Sequence, residues 1–386
     1  MNFKKKNLSE HIVQVWALSG ALLFFSIFHN LSWANDGMAV QGSKPLKRCR
    51  VLFEQPLVKT ALDTPVVFTD TGALKVRWHK NPLEQYGPTV TPEGTKFSIW
   101  LPNAKEVSVI TDANNWQTPI KLTKNADGVW EGFSPEAKQG SQYKYRIVDA
   151  QGNIQFRVDP EAPYINRDQS GKNWNGVVWD HSSYKWSDQA FRPDSKMRVL
   201  ELHPGTVIPG SPYANYREIA DYIINHYGDT INFVSLMPVT QHNLAESWGY
   251  QVGGVFAIDF RHGTPDDFKY LVNKLHINGK GVILDMVYGH ETKDWDTGLA
   301  MMDGTEIYFK EGRMGYHPVW GTRLYQYESE GVSNFLLSNL IYWIREYHID
   351  GARIDAVDSM MQLDFYRAQG EWDANSDGGN INYGAR

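Results

Sequence analysis

Two stretches of sequence decide the fold: residues 281–290 (GVILDMVYGH) and residues 347–357 (YHIDGARIDAV). Each contains a short apolar run into which charged side chains are set, Asp285 in the first and Arg353 and Asp355 in the second. Short runs rich in Val, Ile and Leu that follow a helical pattern are typical of buried strands in a parallel sheet. The two stretches therefore predict parallel strands at residues 282–287 and 352–357.

The segments that precede these strands have the periodicity of amphipathic helices. Apolar residues recur every three or four positions from Tyr216 to Tyr227, a second helix is predicted from the cap Thr264 with Pro265 at its first position, and a third near Ser333. Two further strands are predicted at residues 199–203 and 233–237. Strands that alternate with helices predict right-handed β/α units, which can close into a barrel whose loops gather at the carboxyl ends of the strands.

The preceding part of the chain has a different periodicity. Residues 86–166 contain short alternating runs, such as residues 96–101 and 143–148, separated by turn residues. This pattern predicts a sandwich of two sheets, which we expect to fold alone because the sheets cover each other. The predicted fold class is multidomain: an all-β immunoglobulin-like sandwich followed by a (β/α)8 TIM-barrel catalytic domain of which about four β/α units are present.

The amino terminus has the pattern of a secretory signal. Lysines 4–6 precede an apolar stretch from about Ile12 to Phe28, and Ser32 and Ala34 are small residues suited to a cleavage site. We expect cleavage near Ala34 and an exported protein, periplasmic or secreted; the alternative is an uncleaved anchor. The expected division is then a signal peptide at 1–34, a leader of unclear structure at 35–85, the sandwich at 86–166, a connector at 167–197 and the partial barrel at 198–386.

Composition excludes several kinds of protein. The 386 residues carry a formal net charge of −6, and no long basic run is present that could track phosphates, so nucleic acid is not an expected partner. Cys49 is the single cysteine, which excludes an intramolecular disulfide and a site with several cysteine ligands. We expect no cofactor and no metal ion. A membrane partner is expected only if the signal remains uncleaved.

Polar side chains gather where the predicted strands end. Asp285 closes the third strand and His290 lies in the loop after it, whereas Arg353 and Asp355 share one face of the fourth strand because they are two residues apart. Carboxylates near one another suit glycoside chemistry, in which one attacks and another donates a proton. The residues alone nominate Asp285 and Asp355 as that pair.

Residues 247–250 (SWGY) add the aromatic rings of Trp248 and Tyr250 after the second strand. Structural explanations remain open for all of these residues: Arg353 and Asp355 as an ion pair, His290 as a loop cap, and the two aromatic residues as core. Structural ion pairs have no reason to gather at one rim, so their combination favours a functional site.

These motifs resemble those of the α-amylase superfamily, glycoside hydrolase family 13, and within it most closely those of 1,4-α-glucan branching enzymes. The resemblance covers roughly residues 86–372, and the sandwich is similar to carbohydrate-binding module 48, with Asn115 and Trp116 in its expected loop. Its most specific segments are residues 201–203 (ELH), 236–239 (LMPV), 247–252 (SWGYQV), 263–268 (GTPDDF) and 347–357.

The resemblance implies a role for each candidate residue. Asp355 is expected to be the nucleophile that forms a glycosyl-enzyme intermediate, with Arg353 holding it charged. Asp285 and His290 would bind the sugar at the cleavage point, Tyr250 would stack on that ring, and Trp248 would bind substrate nearby. Asp285 thereby takes a supporting role, not that of the acid, and the expected substrate is an α-1,4-glucan polysaccharide.

The sequence ends at Arg386, 31 residues beyond Asp355. The family's general acid, a glutamate after a fifth strand, would then be missing, so we expect a shortened branching-enzyme-like protein with impaired transfer or hydrolysis. Two alternatives are an exported α-glucan-binding protein without turnover and a gene fragment without function. An open half-barrel is also expected to self-associate through its unpaired edges.

Overall fold

The computed structural model describes residues 86–168 and 173–385. The predicted signal peptide, the leader and Cys49 lie outside these ranges. Among the helices within them, none combines the length and apolar character that crossing a bilayer requires.

Within the described residues, twelve strands form two sheets that are built mainly from residues 87–177. The first sheet has the order β1-β2-β6-β5, and the second has the order β13-β14-β9-β10-β7-β3-β4, with β8 paired to β7. Their bounds are β1 Gly87–Val90, β2 Thr95–Trp100, β3 Glu106–Thr111, β4 Ile120–Lys121, β5 Thr123–Lys124, β6 Val129–Ser134, β7 Gln142–Val148, β8 Ile154–Arg157, β9 Tyr164–Arg167, β10 Trp174–Val177, β13 Thr240–His242 and β14 Val252–Ile258.

The sandwich core follows the predicted alternation. Along β7, Tyr143, Tyr145 and Ile147 are fully buried while the residues between them are half-exposed. The Tyr143 ring lies 4.9 Å from the ring of Phe97 on the facing sheet. The predicted β-sandwich is therefore present.

The second sheet extends beyond the residues expected to form it. Strand β9 runs to Arg167 and β10 lies at Trp174–Val177, inside the segment expected to be a connector. Strands β13 and β14 come from the later β/α region, and β14 pairs in parallel with β9 through Ile258 and Tyr164. Every residue of β14 is buried. The sandwich and the β/α region thus share a sheet.

The carboxyl-terminal half contains four parallel strands in the order β11-β12-β15-β16. About four β/α units were predicted, and this sheet confirms them. The elements are β11 Val199–Leu202, α1 Tyr216–Tyr227, β12 Phe233–Leu236, α2 Pro265–Ile277, β15 Gly281–Met286, α3 Glu330–Tyr347, β16 Gly351–Ile354 and α4 Val357–Met361.

Capping residues fix where the helices begin. The Thr264 hydroxyl accepts from the backbone N–H of Asp267 at 3.3 Å, and the Asp267 carboxylate accepts from the backbone N–H of Thr264 at 2.9 Å, so both groups are satisfied reciprocally. Pro265 occupies the first helical position, where it gives up no hydrogen bond. The apolar face of α2 that begins with Phe268 is fully buried beneath the sheet.

Candidate active site at the carboxyl ends of the parallel strands

Strand register brings the predicted acidic and basic residues together. Asp285 on β15 lies opposite Arg353 on β16, and neighbouring residues of a parallel pair project to the same side. Asp355 is two residues further on, and its backbone N–H donates to the Met286 carbonyl at 2.9 Å, which continues the pairing past the end of β16. Asp285, Arg353 and Asp355 therefore meet on one face of the sheet.

Asp285 is the more enclosed of the two aspartates. Its Oδ2 accepts a hydrogen bond from the Tyr250 hydroxyl at 2.7 Å and another from Arg353 Nη1. Its Oδ1 is buried and has no hydrogen-bond partner among the described residues. Burial raises the pKa of Asp285 to about 6, although the Arg353 charge and the Tyr250 hydroxyl act in the opposite direction. Two hydrogen bonds thus hold the Asp285 carboxylate in one position, where burial disfavours its ionised form.

Asp355 is the aspartate that solvent and substrate can reach. Its side chain is 17% exposed, against 2% for Asp285, and its Oδ1 lies 3.3 Å from Arg353 Nη1. Burial raises the pKa of Asp355, and the adjacent guanidinium opposes that rise. Arg353 is shared between the two carboxylates, whose charges raise its own pKa against the effect of burial. The accessible carboxylate therefore lies beside a cation that favours its ionised form.

The loop that carries Tyr250 depends on a glycine. Gly249 has φ of 88°, and a Cβ at this position would lie 2.6 Å from the Pro238 carbonyl oxygen. Only glycine fits this left-handed, tightly packed turn. The turn directs the Tyr250 hydroxyl onto Asp285, and burial followed by the Asp285 charge raises the pKa of Tyr250, so the hydroxyl keeps its proton and donates it.

Trp248, in the same loop, faces a separate cavity. Its ring stacks on His203 at a centroid distance of 5.0 Å, and both residues line a cavity of about 190 Å³ together with Tyr213 and Arg261. Trp248 is exposed. The structure therefore places Trp248 outside the hydrogen-bond network that joins the two aspartates.

His290 lies in the loop after β15. It is buried, and its Nδ1 has no hydrogen-bond partner among the described residues. Burial lowers the pKa of His290 to about 4, so the imidazole is neutral at pH 7. Its ring neighbours are His317 at 5.9 Å and Trp320 at 4.8 Å between centroids.

The loops after β15 and β16 are packed against each other. A Cβ at Gly289 would lie 2.9 Å from the Cβ of Ala356, and Ala356 has a φ of 54°, a left-handed turn that leads from Asp355 into α4. Glu291 anchors the same loop because its buried carboxyl accepts from the Tyr325 hydroxyl at 2.6 Å. His290 and Asp355 consequently belong to one continuous rim.

Sequence reasoning missed His317 and Trp320. Both come from a loop that precedes α3, and neither follows a strand, so the pattern of polar residues at strand ends does not include them. The signal was the run His317-Pro318-Val319-Trp320-Gly321, in which an aromatic residue and a histidine share one tight turn.

Metal binding has no support within the described ranges. No group of three or more His, Cys, Asp or Glu side chains there is arranged to hold an ion.

One known family matches the sandwich. Residues 85–162 match carbohydrate-binding module 48, the isoamylase N-terminal domain. This match covers β1 to β8 and supports the resemblance predicted from Asn115 and Trp116.

Comparison with individual proteins extends the similarity into the β/α region. The chain is 42% identical over 295 residues to the 1,4-alpha-glucan branching enzyme of Picrophilus torridus, and 41% identical over 302 residues to that of Rubrobacter xylanophilus. The chain resembles 1,4-alpha-glucan branching enzymes. Each alignment covers 75% of this chain and 41% of the relative, so the chain spans about two fifths of the length of these branching enzymes.

Solved structures support the fold. A putative alpha amylase from Salmonella typhimurium superposes with a TM-score of 0.60 at 24% identity, covering 72% of this chain and 44% of the other. The catalytic module of the glycogen-degrading pneumococcal virulence factor SpuA superposes with a TM-score of 0.58 at 18% identity, covering 71% and 47%. The sandwich followed by an α-amylase-like β/α region is thus a known arrangement.

Proposed function

We propose that this chain acts on α-1,4-linked glucan as a retaining glycosyl transferase or hydrolase of the branching-enzyme type. One observation carries the proposal: of two aspartates that share Arg353, Asp355 is accessible at the rim while Asp285 is buried and hydrogen-bonded. A nucleophile has to reach the anomeric carbon, and a positioning group does not. The similarity to branching enzymes supports the choice of substrate.

The proposed first step is attack by an Asp355 carboxylate oxygen on the anomeric carbon of a bound glucose unit. A bond forms between this oxygen and C1 while the bond from C1 to the departing oxygen breaks, and the departing oxygen takes a proton from water, which leaves a glycosyl ester on Asp355. A sugar hydroxyl or water then attacks the same carbon, gives its proton to solvent and releases Asp355 as a carboxylate. Because the two displacements each invert C1, the product retains the starting configuration.

Arg353 is proposed to keep Asp355 ionised for this attack. Burial favours the protonated form of Asp355, and the guanidinium 3.3 Å away favours the charged form. A lysine in place of Arg353 would not pair with both aspartates in the same way, because its ammonium group lacks the planar set of donors of a guanidinium.

The remaining residues are proposed to bind the sugar. Asp285 has one buried oxygen without a partner, which a sugar hydroxyl can satisfy. Tyr250 holds Asp285 in place and offers its ring to the glucose unit, and His290 supplies a neutral imidazole. Trp248 and the cavity of about 190 Å³ beside it would bind a neighbouring unit.

The sandwich is proposed to hold the same polysaccharide. Trp116 is exposed in the loop after β3, where its left-handed backbone, with φ of 61°, follows the turn at Asn115. An exposed indole ring offers a flat apolar face to a sugar ring. We propose in addition that the protein is exported and cleaved near Ala34, on the evidence of its amino-terminal sequence alone.

Fluoride release from α-maltosyl fluoride tests the nucleophile. Fluoride departs without a proton, so the reaction requires attack by Asp355 but no general acid. We expect the unaltered chain to release fluoride and Asp355→Asn to release it roughly 10³-fold more slowly. Asp358→Asn, an exposed carboxylate three residues away, is the matched control and should retain the rate.

Two results would argue against the proposed chemistry. Equal rates for the unaltered chain and Asp355→Asn would remove Asp355 from the reaction. Binding of maltoheptaose without any fluoride release would favour a glucan-binding protein that does not turn over.

A further inference from the structure

His290, His317 and Trp320 form a cluster beside the proposed nucleophile, and the function proposed above assigns a role only to His290. We refer to these three residues as the His–Trp cluster. His317 is 1% exposed, whereas Trp320 is 47% exposed. The cluster therefore combines a buried base with an aromatic ring that is open to solvent.

The turn from His317 to Gly321 is held from within. The Nδ1 of His317 accepts from the backbone N–H groups of Val319 at 3.3 Å and Trp320 at 3.2 Å, and the Gly321 N–H donates to the His317 carbonyl at 2.9 Å. Because Nδ1 is an acceptor, the proton of the neutral imidazole lies on Nε2. Burial lowers the pKa of His317 to about 4, which keeps the ring neutral at pH 7.

Stacking fixes the orientation of the indole. The rings of His317 and Trp320 are 3.8 Å apart between centroids and inclined by 6°, so His317 covers one face of Trp320. The ring centroids are 3.8 Å apart for His317 and Trp320, 4.8 Å for His290 and Trp320, and 5.9 Å for His290 and His317. In the triangle that they define, the angle at Trp320 is close to a right angle. His290 thus lies at the edge of the indole. Neither histidine covers the face opposite His317.

Two ring nitrogens at this cluster are buried without partners. These are Nε2 of His317 and Nδ1 of His290, and neither has a hydrogen bond to any described residue. A buried polar group without a partner costs free energy, and such a group in a native structure calls for a ligand or water to satisfy it. Because both histidines are buried, the exposed indole of Trp320 is the part of the cluster that a ligand can reach.

The cluster is joined to the rim that carries Asp355. Gly289, next to His290, packs on Ala356, next to Asp355, and His317 lines a small cavity together with Ser359 of α4. The His–Trp cluster therefore lies on the same rim as Asp355.

We propose that the face of Trp320 opposite His317 is a second platform for α-glucan, which binds a glucose unit adjacent to the one at Asp355, while His317 holds the indole in place from its other face. A pyranose ring has an apolar face of C–H groups, and its contact with the indole removes apolar surface from water. This assignment rests on the proposed function, since it takes the same polysaccharide as ligand.

Calorimetric titration of the full chain with maltoheptaose tests the platform. Trp320→Ala should weaken binding about tenfold, which corresponds to about 1.4 kcal/mol. Trp320→Phe, which keeps an aromatic face, should stay within about threefold. The matched control is Trp295→Ala, since Trp295 is 53% exposed and lies in the loop after β15, but its ring faces the Arg157 guanidinium at 4.4 Å.

The outcomes separate this inference from the proposed function. Unchanged affinity in Trp320→Ala, together with loss of binding in Tyr250→Ala, would overturn the Trp320 platform and leave the proposed function standing. Equal weakening by Trp320→Ala and Trp295→Ala would also overturn it. If the unaltered chain binds no maltoheptaose, both the platform and the proposed function fail. Thermal midpoints of the variants close to that of the unaltered chain would show that a loss of affinity is not a loss of fold.

Discussion

Asp285 and Asp355 show how two residues of one type acquire different properties from their surroundings. Both contact Arg353, but Asp285 has the lower exposure and also accepts from Tyr250. Burial raises the pKa of Asp285 to about 6. The residue therefore carries a free-energy cost in its ionised form, which is a common feature of functional sites.

Replacement of Asp285 by Asn should change how stability depends on pH. Between the unfolded pKa of roughly 3.9 and the folded value of about 6, the folded protein binds more protons at Asp285 than the unfolded chain does, so its free energy of unfolding falls as pH rises. Asp285→Asn removes this loss. We expect the variant to gain roughly 3 kcal/mol relative to the unaltered chain between pH 4 and pH 7.

Urea unfolding at a series of pH values measures this gain. Asp358→Asn, which alters an exposed carboxylate, provides the reference and should give no such trend. A difference between Asp285→Asn and the unaltered chain that does not change with pH would mean that burial of Asp285 carries no such cost.

Among the elements, the carboxyl end of α2 is joined to two other segments through one histidine. His276 Nδ1 lies 2.9 Å from Asp188 and its Nε2 lies 2.9 Å from Asp350, while Asp188 also pairs with His348 at 2.8 Å. Phe191 stacks on the His276 ring at 4.2 Å. Burial disfavours charge on His276, but the hydrogen bonds and charges of Asp350 and Asp188 outweigh it and raise the pKa.

This arrangement predicts stability that is lost in alkaline solution. The contribution of His276 is fully present below its unfolded pKa of roughly 6.5 and disappears as pH rises through the higher folded pKa. His276→Gln should cost about 1–3 kcal/mol at pH 6, where it breaks charged hydrogen bonds, and less at pH 9. Thermal unfolding at both pH values measures the effect.

The exposed His226 on α1 supplies the control for this experiment. His226→Gln should leave the pH dependence of the thermal midpoint as it is in the unaltered chain. A cost of His276→Gln that is the same at pH 6 and pH 9 would contradict a protonated His276.

Elements whose signals are local could be predicted from the sequence. Helix α2 has its cap at Thr264, its proline at position one and its apolar face within 14 residues, so all the information lies in one short window. Strand β14 could not be predicted as part of the sandwich, because it pairs with β9 about 90 residues earlier and its fully buried run shows no alternation.

The site was predictable to a similar extent. The spacing of Arg353 and Asp355 places them on one face of any strand, and register then adds Asp285. Trp320 was not predictable in this way, since its position depends on how a loop folds onto His290. Contacts of that kind follow from tertiary packing and not from periodicity.

In the whole molecule, the shared sheet changes the expectation that the sandwich folds alone. Strand β14 lies in the second sheet, and Arg157 of β8 donates to the carbonyls of Gly298 and Ala300 in the β/α region at 2.6 and 3.0 Å. We therefore expect residues 86–178, expressed alone, to lack a cooperative thermal transition. The full chain should unfold in one transition seen by calorimetry. A sharp transition of the isolated segment would show that the sandwich does not need β14.

The unpaired outer edge of the parallel sheet predicts that the protein self-associates in solution. Within the described residues, β11 pairs with β12 alone, and Val199 on β11 is 47% exposed. An unpaired edge is a template for another strand. We expect sedimentation to give a mass above the 44.1 kDa of one chain, and Val199→Lys to reduce it. Val319→Lys, an exposed loop position, is the control, and a monodisperse unaltered monomer would contradict self-association.

The central claim is that Asp355 forms a covalent bond to the sugar, and mass spectrometry of the trapped intermediate tests it most directly. The chain would be incubated with 5-fluoro-α-maltosyl fluoride, a substrate whose ring fluorine slows release of the ester, then digested and sequenced. We predict one added 5-fluoromaltosyl group, located on Asp355 and lost in Asp355→Asn. A label on Asp285, or on any residue other than Asp355, would contradict it.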